Sequence, residues 1–332
     1  MLRVLALWVC AALGLSLTAC DDDEATTPPA SSQNIVQVAQ GNASFSVLVA
    51  AVTKADLGTT LSGTGPFTVF APTNDAFAKL QPPFNTAANI TAITDANQIA
   101  TLRSILLYHV VGANIKAADI PAGASSRTTA RPASSGVNDN TIYLTKSGAN
   151  VFINGRTRVV TADVAASNGT IHAIDNVLMP PSQTIAQLVT SAASRATNPE
   201  FTLLLQALQR PAAAPILAAA GNAGVNVTVF APTDAAFRAL LGNNSLSSVS
   251  DADLTAILSR HVISTGRVFS SDLAAGTVAT LGGNVTIGTT TSGGFTVRGG
   301  SGTAANIGNT AATVDILATN GVVHVIDQVI RP

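Results

Sequence analysis

The chain has 332 residues, enough for about two domains of ordinary size, and 47% of them are hydrophobic, so each domain can bury a sizeable core. Only 11% are charged and the formal net charge is −1, which argues against the basic surface of a nucleic-acid-binding protein. Both cysteines lie within the first 20 residues, which excludes disulfides, thiol catalysis and cysteine-ligated zinc in the rest of the chain.

Residues 1–19 are predicted to be a signal peptide. Arg3 supplies the positive start, and the apolar run Val4–Leu17 is too short and too poorly flanked for an ordinary spanning helix. The end of this run, Leu17-Thr18-Ala19-Cys20, resembles the lipobox of bacterial lipoproteins. The resemblance implies that Cys20 becomes the lipid-bearing first residue of the mature chain. The alternative is a free cysteine near an ordinary cleavage site.

Residues 20–33 are predicted to be the lipidated cysteine and a flexible tether that is rich in acidic residues, Pro, Ser and Thr. The acidic cluster Asp21–Glu24 resembles the export signal that sends lipoproteins of Bacteroidetes to the cell surface. A solvated charge run is the alternative interpretation. We therefore expect a lipid anchor in the bacterial cell envelope, with the outer membrane favoured and the choice between periplasm and outer surface left open.

The first folded unit begins with helical periodicity. Apolar residues recur at helical spacing over residues 35–52 and 99–110, with Asn34 and Ser44 predicted as helix caps and a helix end at Tyr108-His109. Short β runs bounded by Gly, Asn and Asp turns follow. These runs are Thr141–Thr145, Val151–Ile153, Arg156–Thr161 and Thr170–Leu178.

Ten residues between the two helical stretches, Thr68–Phe77, return almost unchanged as Thr228–Phe237. The apolar start predicts a buried strand, which the proline ends because it cannot donate to the ladder. The polar residues that follow are predicted to cap a helix, and the phenylalanine to point back at the core. This structural hinge is formed by Thr68, Pro72, Thr73, Asn74, Asp75 and Phe77, and in the second copy by Thr228, Pro232, Thr233, Asp234 and Phe237.

The rest of the second copy follows the same plan, so we predict two tandem domains, 34–181 and 182–332. His109 and His172 are 63 residues apart, and so are His261 and His324. The copies differ in loops, around Gln81–Asn85 in the first and around Gln209–Pro215 in the second. The strands predicted in the second copy are Val278–Leu281, Val285–Thr289, Phe295–Arg298, Val314–Ala318 and Val322–Val329.

Three landmarks in each copy resemble the fasciclin (FAS1) domain family. They are the hinge, the segments Ile105–Val110 and Ile257–Val262, and the segments Asn168–Val177 and Asn320–Val329. The resemblance implies an α+β fold in which each domain is a wedge-shaped β-sandwich with packed helices. It also implies a role outside cells in adhesion and in binding protein or matrix partners.

In animal members of this family the Tyr-His segment is associated with receptor binding. Tyr108 and His109 fit that pattern. The second copy has Arg260 before His261, so the resemblance gives less support for a binding role of that pair. These four residues are the predicted binding residues.

All four histidines lie in the landmarks, which raises the question of catalysis. His172 could pair with Asp175, and His324 with Asp327, as a base and its orienting group. In a strand, however, residues three apart project to opposite faces. We therefore predict packed core histidines, with Asp175 and Asp327 satisfying turn amides beside the Asn-Gly turns at 168–169 and 320–321.

The sequence thus predicts a non-enzymatic protein without a cofactor or metal site, which binds extracellular protein or polysaccharide partners and no nucleic acid. The alternative is a carrier of small apolar ligands, or an enzyme, that uses a cleft near Tyr108 and His109.

Overall fold

A computed structural model describes residues 31–134, 137–308, 310 and 312–332 of the chain. The predicted signal peptide, Cys20 and the first part of the tether lie outside these residues. Ser31–Pro332 form one unit by their internal contacts. Within the described ranges, no helix has both the length and the apolar character needed to cross a membrane.

The first domain consists of short helices followed by a β-rich half. Its helices are α1 Ile35–Gln40, α2 Ser46–Lys54, α3 Gly58–Leu61, α4 Asn74–Ala78, α5 Ala87–Ala92 and α6 Ala96–Tyr108. Its strands are β1 Phe67–Pro72, β2 Val110–Val111, β3 Gly123–Thr128, β4 Thr141–Ser147, β5 Asn150–Ile153, β6 Thr157–Ala166 and β7 Gly169–Ile174.

The strands of the first domain form a seven-stranded sheet in the order β2-β1-β7-β6-β5-β4-β3. β1 and β7 run parallel, with Phe70 opposite His172, and the other pairs are antiparallel. The ladder between β6 and β7 contains two register shifts. Such irregularities bend a strand, which allows β4 and β5 to fold over β1 and β7.

Two hydrophobic cores lie on opposite faces of β1. Val69 and Ala71 pack with helices α1, α2 and α6, whereas Phe70 packs with Tyr108 and the apolar residues of β4 and β5. This alternation follows from the two-residue period of a strand that is covered on both sides. The α+β prediction is therefore confirmed.

The second domain repeats this arrangement with its own helices and strands. Its helices are α7 Ile185–Ala193, α8 Thr202–Leu208, α9 Ala214–Gly221, α10 Asp234–Leu241 and α11 Asp251–Arg260. Its strands are β8 Val227–Pro232, β9 Val262–Ile263, β10 Gly276–Thr280, β11 Gly283–Thr289, β12 Phe295–Arg298, β13 Ala305–Asn306, β14 Ile316–Ala318 and β15 Gly321–Ile326.

Unlike the first domain, the second has two four-stranded sheets, β10-β11-β12-β13 and β14-β15-β8-β9. β8 and β15 are the parallel pair that corresponds to β1 and β7. The two sheets enclose a core around Phe230, Val285 and Val297, while the helices cover the other face of β8.

The hinge forms the predicted strand and helix in both domains. Thr73 accepts a hydrogen bond from Ala76 N at 3.3 Å, Thr233 accepts one from Ala236 N at 3.1 Å, and Phe77 and Phe237 are buried. The predicted role of the next residue is wrong. Asn74 and Asp234 cap the neighbouring helix, accepting from Val47 N at 3.0 Å and Leu203 N at 2.9 Å.

Several other predictions are corrected. Asn34 caps α1, but α2 begins after a 3-10 turn that Asn42 caps, so Ser44 is not a cap. β7 ends at Ile174 rather than Leu178. The segment after Gln209, interpreted as a loop, forms α9 after a short 3-10 turn, because Pro211 and Pro215 lie in first-turn positions that tolerate proline.

Candidate functional site

His109 and His261 each link the C-terminal end of a helix to the last segment of their domain. His109 Nδ1 donates to Ile105 O at 2.8 Å, and its Nε2 accepts from Leu178 N at 2.9 Å. His261 has the same contacts with Ile257 O at 2.8 Å and Ile330 N at 3.0 Å. Burial lowers the pKa of both imidazoles to about 4. Both rings are therefore neutral at physiological pH.

His172 and His324 occupy the parallel strands β7 and β15. His172 Nε2 donates to Ile115 O at 2.8 Å, and its Nδ1 accepts from Asp163 N at 3.2 Å. His324 donates to Val268 O at 2.8 Å and accepts from Asp315 N at 3.3 Å. Both rings are buried beside a phenylalanine of the partner strand. Each of the four histidines thus uses both ring nitrogens within the protein.

Asp175 and Asp327 do not face these histidines, and the amides that they bind are not those of the predicted turns. Asp175 Oδ1 accepts from Arg158 N at 2.8 Å, on the neighbouring strand β6. Asp327 Oδ1 accepts from Asn306 N at 2.7 Å, on β13. The Asn-Gly turns lie at the opposite end of β7 and β15. The carboxylates therefore fasten the far ends of these strands to their neighbours.

Three of the four predicted binding residues lie in the interior. Tyr108, His109 and His261 are buried, and the Tyr108 hydroxyl donates to Thr141 O at 2.7 Å. Burial raises the pKa of Tyr108. Arg260 is partly exposed and donates to Asn284 O at 2.8 Å. Direct contact of these residues with a partner stays a prediction, and their positions favour a supporting role beneath the surface.

Asn168 and Asn320 form a structural clamp that the sequence analysis did not identify. Asn168 Oδ1 accepts from Ile35 N at 2.9 Å, and its amide group donates to Leu61 O at 2.8 Å and Gly63 O at 2.7 Å. Asn320 binds Ile185 N at 2.9 Å and Ala220 O at 2.8 Å in the same way. The sequence feature that points to these clamps is the Asn-Gly pair, which occurs at 168–169 and again 152 residues later at 320–321.

An apolar cavity of about 110 Å³ lies between helices α1, α2 and α3 and the sheet of the first domain. Its wall includes Ala39, Leu48, Leu106 and the buried His109. Val36, Val49 and Val52 are half-buried and line it, so it reaches towards the surface. Apolar cavities of this kind stay dry and can take small apolar molecules.

The two domains meet at a polar and aromatic junction. Tyr143 of β4 lies 5.5 Å from the Phe269 ring, and the Arg267 guanidinium lies 4.9 Å from the Tyr143 centroid. Thr145 donates to the Asp272 carboxylate at 2.6 Å. Arg267 is positioned by a hydrogen bond within its own domain, to Thr319 O at 2.6 Å. The contacts between the domains combine cation–π attraction with a charge-assisted hydrogen bond, which favours a fixed arrangement of the domains.

Comparisons with known proteins agree with this architecture. The Fasciclin domain family model matches residues 43–180 and 199–332. Protein sll1483 of Synechocystis sp. is 40% identical over 178 residues, which are 51% of this chain and 91% of that protein. Immunogenic protein MPT70 of Mycobacterium tuberculosis is 34% identical over 165 residues, which are 47% of this chain and 76% of that protein.

Among solved structures, a FAS1 domain pair from the insect cell adhesion molecule Fasciclin I covers 85% of this chain and 92% of its own, with 20% identity and a TM-score of 0.37. The two family matches together span more than half of the residues and fall on the two halves of the chain. The protein therefore belongs to the fasciclin domain family and contains two tandem fasciclin domains.

Proposed function

We propose that this protein is a non-enzymatic, lipid-anchored interaction protein of the bacterial cell envelope, which binds extracellular protein or polysaccharide partners. The observation that carries the proposal is the pair of fasciclin domains that follows a lipobox-like segment and a polar tether. The domain junction supports it, because contacts between the domains can hold them together when a partner binds. The four histidines support the non-enzymatic part, because no ring nitrogen is left for a substrate.

Partner binding can be tested with the mature chain immobilised in native form, and with the same chain unfolded as a control. Both are incubated with purified envelope polysaccharides and with purified matrix proteins. We expect the native protein alone to retain a defined component. Equal retention by the native and the unfolded chain, or retention of nothing by either, would contradict the proposal.

The lipid anchor has a matched control in the chain, because Cys10 is the other cysteine. Cys20→Ser removes the proposed acylation site, and we expect the variant to leave the membrane fraction, since acyl chains supply about 0.8 kcal/mol per buried methylene. Cys10→Ser keeps Cys20 and should stay in the membrane fraction. Membrane association of Cys20→Ser equal to that of wild type would refute the anchor.

A second candidate function, a carrier of small apolar ligands, is favoured by the cavity beside His109. The first domain has only the four-residue α3 where the second has the eight-residue α9, whose Ile216 packs into the core. The first core is therefore covered by a shorter helix than the second core. The His109 ring in the cavity wall is neutral and already hydrogen-bonded at both nitrogens, which suits an apolar occupant.

Xenon or benzene binding tests this candidate. Ala39→Leu adds carbon atoms inside the cavity, at the position where the second domain carries Val189, and should weaken probe binding at least fivefold. Ala50→Leu makes the same change on α2 at a residue outside the cavity wall and should leave binding unchanged. Unaltered binding by Ala39→Leu, or no binding by the wild type, would exclude the carrier function.

A further inference from the structure

A second concave site lies between the two domains and is separate from the apolar cavity. It has a volume of about 440 Å³, within the usual range for small-ligand pockets. One wall is formed by α4 and the turn between β5 and β6, and the other by β14. The segment Asn176–Gln183, which joins the domains, forms the floor. Residues of both domains are therefore needed to complete this cleft.

Two cationic side chains line the cleft from the first domain, Lys79 and Arg156. Lys79 Nζ donates to Asp175 O at 2.7 Å and to Asn176 Oδ1 at 3.0 Å, which holds the ammonium group in place. Arg156 Nη1 is buried and has no hydrogen-bond partner among the described residues. The Arg156 guanidinium therefore has donors that no described residue accepts. Arg260 Nε and Arg267 Nε are also buried without a partner, but of these three arginines Arg156 alone lines the cleft.

The acidic side chain in the cleft wall, Asp315, does not fill this role. Its carboxylate accepts from Ser270 N at 2.7 Å and from the Ser270 hydroxyl, and lies 3.9 Å from His324 Nδ1. Burial raises the pKa of Asp315, and the neighbouring His324 and Arg156 oppose that shift. The Asp315 carboxylate therefore binds groups of its own domain. The charged groups left to contact a ligand in the cleft are the cations of Lys79 and Arg156.

We propose that the cleft between the domains binds a small ligand that carries a carboxylate group, with Arg156 as its main contact and Lys79 as the second. A guanidinium matches the two oxygens of a carboxylate with parallel hydrogen bonds. The amide side chains of Asn154 and Asn176 also line the cleft. Each makes two hydrogen bonds within the protein and keeps one N–H and one oxygen lone pair for a ligand hydroxyl group. An acidic sugar residue combines these properties and fits the volume. The proposal depends neither on the lipid anchor nor on macromolecular partners.

The test is calorimetric titration of the mature chain with D-glucuronate, with D-glucose and inorganic phosphate as comparison ligands. Arg156→Gln should weaken glucuronate binding at least tenfold. Arg158→Gln is the matched control, because Arg158 is exposed, carries the same charge and lies outside the cleft wall. Glucose should not bind, and phosphate should bind more weakly than glucuronate.

Lys79→Gln should weaken glucuronate binding about threefold to tenfold, since it removes the second of two charges. Arg156→Lys keeps the charge but lacks the planar guanidinium group, and it should bind glucuronate with an affinity between those of wild type and Arg156→Gln. This variant tests the role of Arg156 if Arg156→Gln does not fold. Wild-type protein that does not bind glucuronate, wild-type affinity in both Arg156 variants, or equal binding of phosphate would overturn the proposal.

Discussion

At the scale of single residues, the four histidines are structural cross-links between backbone segments. Each joins a donor and an acceptor that are far apart in sequence, as when His109 links α6 to Leu178 at the end of the first domain. An imidazole can do this only in its neutral form, with one nitrogen donating and the other accepting. Burial lowers the pKa of His109 and His261, and protonation of these two rings removes the acceptor, so they make folding sensitive to acid.

The first prediction concerns pH. The pKa of His109 and His261 is lowered from 6.5 to about 4 by burial, so their contribution to stability is complete above pH 6.5 and is lost as the pH falls towards 4. Each pKa unit corresponds to about 1.4 kcal/mol per residue. We expect the free energy of unfolding, measured in urea at several pH values, to fall by several kcal/mol across this window.

A control for this prediction is His109→Gln. The free energy of unfolding of this variant will be lower than that of wild type. Between pH 6.5 and 4, however, it should fall less steeply with pH, because the contribution of His109 to the pH dependence is absent. A variant with the full wild-type slope would show that other groups cause the acid sensitivity.

At the scale of elements, the Asn168 and Asn320 clamps explain how the first helix of each domain docks on the sheet. The Asn168 side chain bridges the first turn of α1 and the end of α3 from the start of β7. The following Gly169 is required, because a Cβ there would lie 1.9 Å from Phe67 O. The Asn-Gly pair thus packs backbone against backbone where the parallel strands β1 and β7 begin.

The second prediction is that Asn168→Ala destabilises the protein by about 2–4 kcal/mol, because it leaves one buried amide and two carbonyl groups without partners. Chemical denaturation measures the change. Asn97→Ala, at an exposed position on α6, is the control and should change stability by less than about 0.5 kcal/mol. Equal loss of stability in the two variants would show that the Asn168 hydrogen bonds do not hold α1 and α3 on the sheet.

At the scale of the whole molecule, the junction distinguishes the two domains from independent modules. The turn at Gly155 of the first domain lies directly over Asp315 of the second, where an added Cβ would be 2.5 Å from the Asp315 Cγ. In the first domain the corresponding carboxylate, Asp163, is exposed and binds Ala117 N. Burial of Asp315 therefore follows from the contact between domains.

The third prediction uses two glycines in similar turns. Gly155 and Gly148 both have a positive φ, of 83° and 58°, but a Cβ at Gly148 would meet no atom within 4 Å. Gly148→Ala should cost about 1–2 kcal/mol through backbone strain alone. Gly155→Ala should cost about 1–3 kcal/mol more, because the added Cβ overlaps the Asp315 carboxylate and disturbs the contact between the domains.

Calorimetry of Gly155→Ala should show a broadened or divided transition, as expected for domains that unfold independently, whereas Gly148→Ala should keep the shape of the wild-type transition. Equal destabilisation by both substitutions, with unchanged transition shape, would show that the contact with Asp315 does not couple the domains.

Much of the fold was predictable because the repeated hinge combines strong local signals. The apolar run, the proline and the capping threonine each favour the same strand-to-helix corner, and the structure contains it twice. The strand β3 escaped prediction because its Ser and Thr residues lack alternating hydrophobicity. Asn74 and Asp234 were assigned to the wrong helix, since their partners, Val47 and Leu203, lie about 30 residues away.

The sequence alone determined the two-domain plan and the interior position of the hinge phenylalanines, because repeats, periodicity and turn residues are local properties. The α+β class was implied by the resemblance of the repeated landmarks to the fasciclin family. The sequence also carries the lipobox resemblance on which the anchor proposal rests. Only the tertiary structure decided that Tyr108 and His109 are buried, that Asn168 and Asn320 are clamps, and that a cleft with Arg156 lies between the domains. Burial and long-range hydrogen bonds depend on which segments meet in space, and spacing along the chain does not specify that.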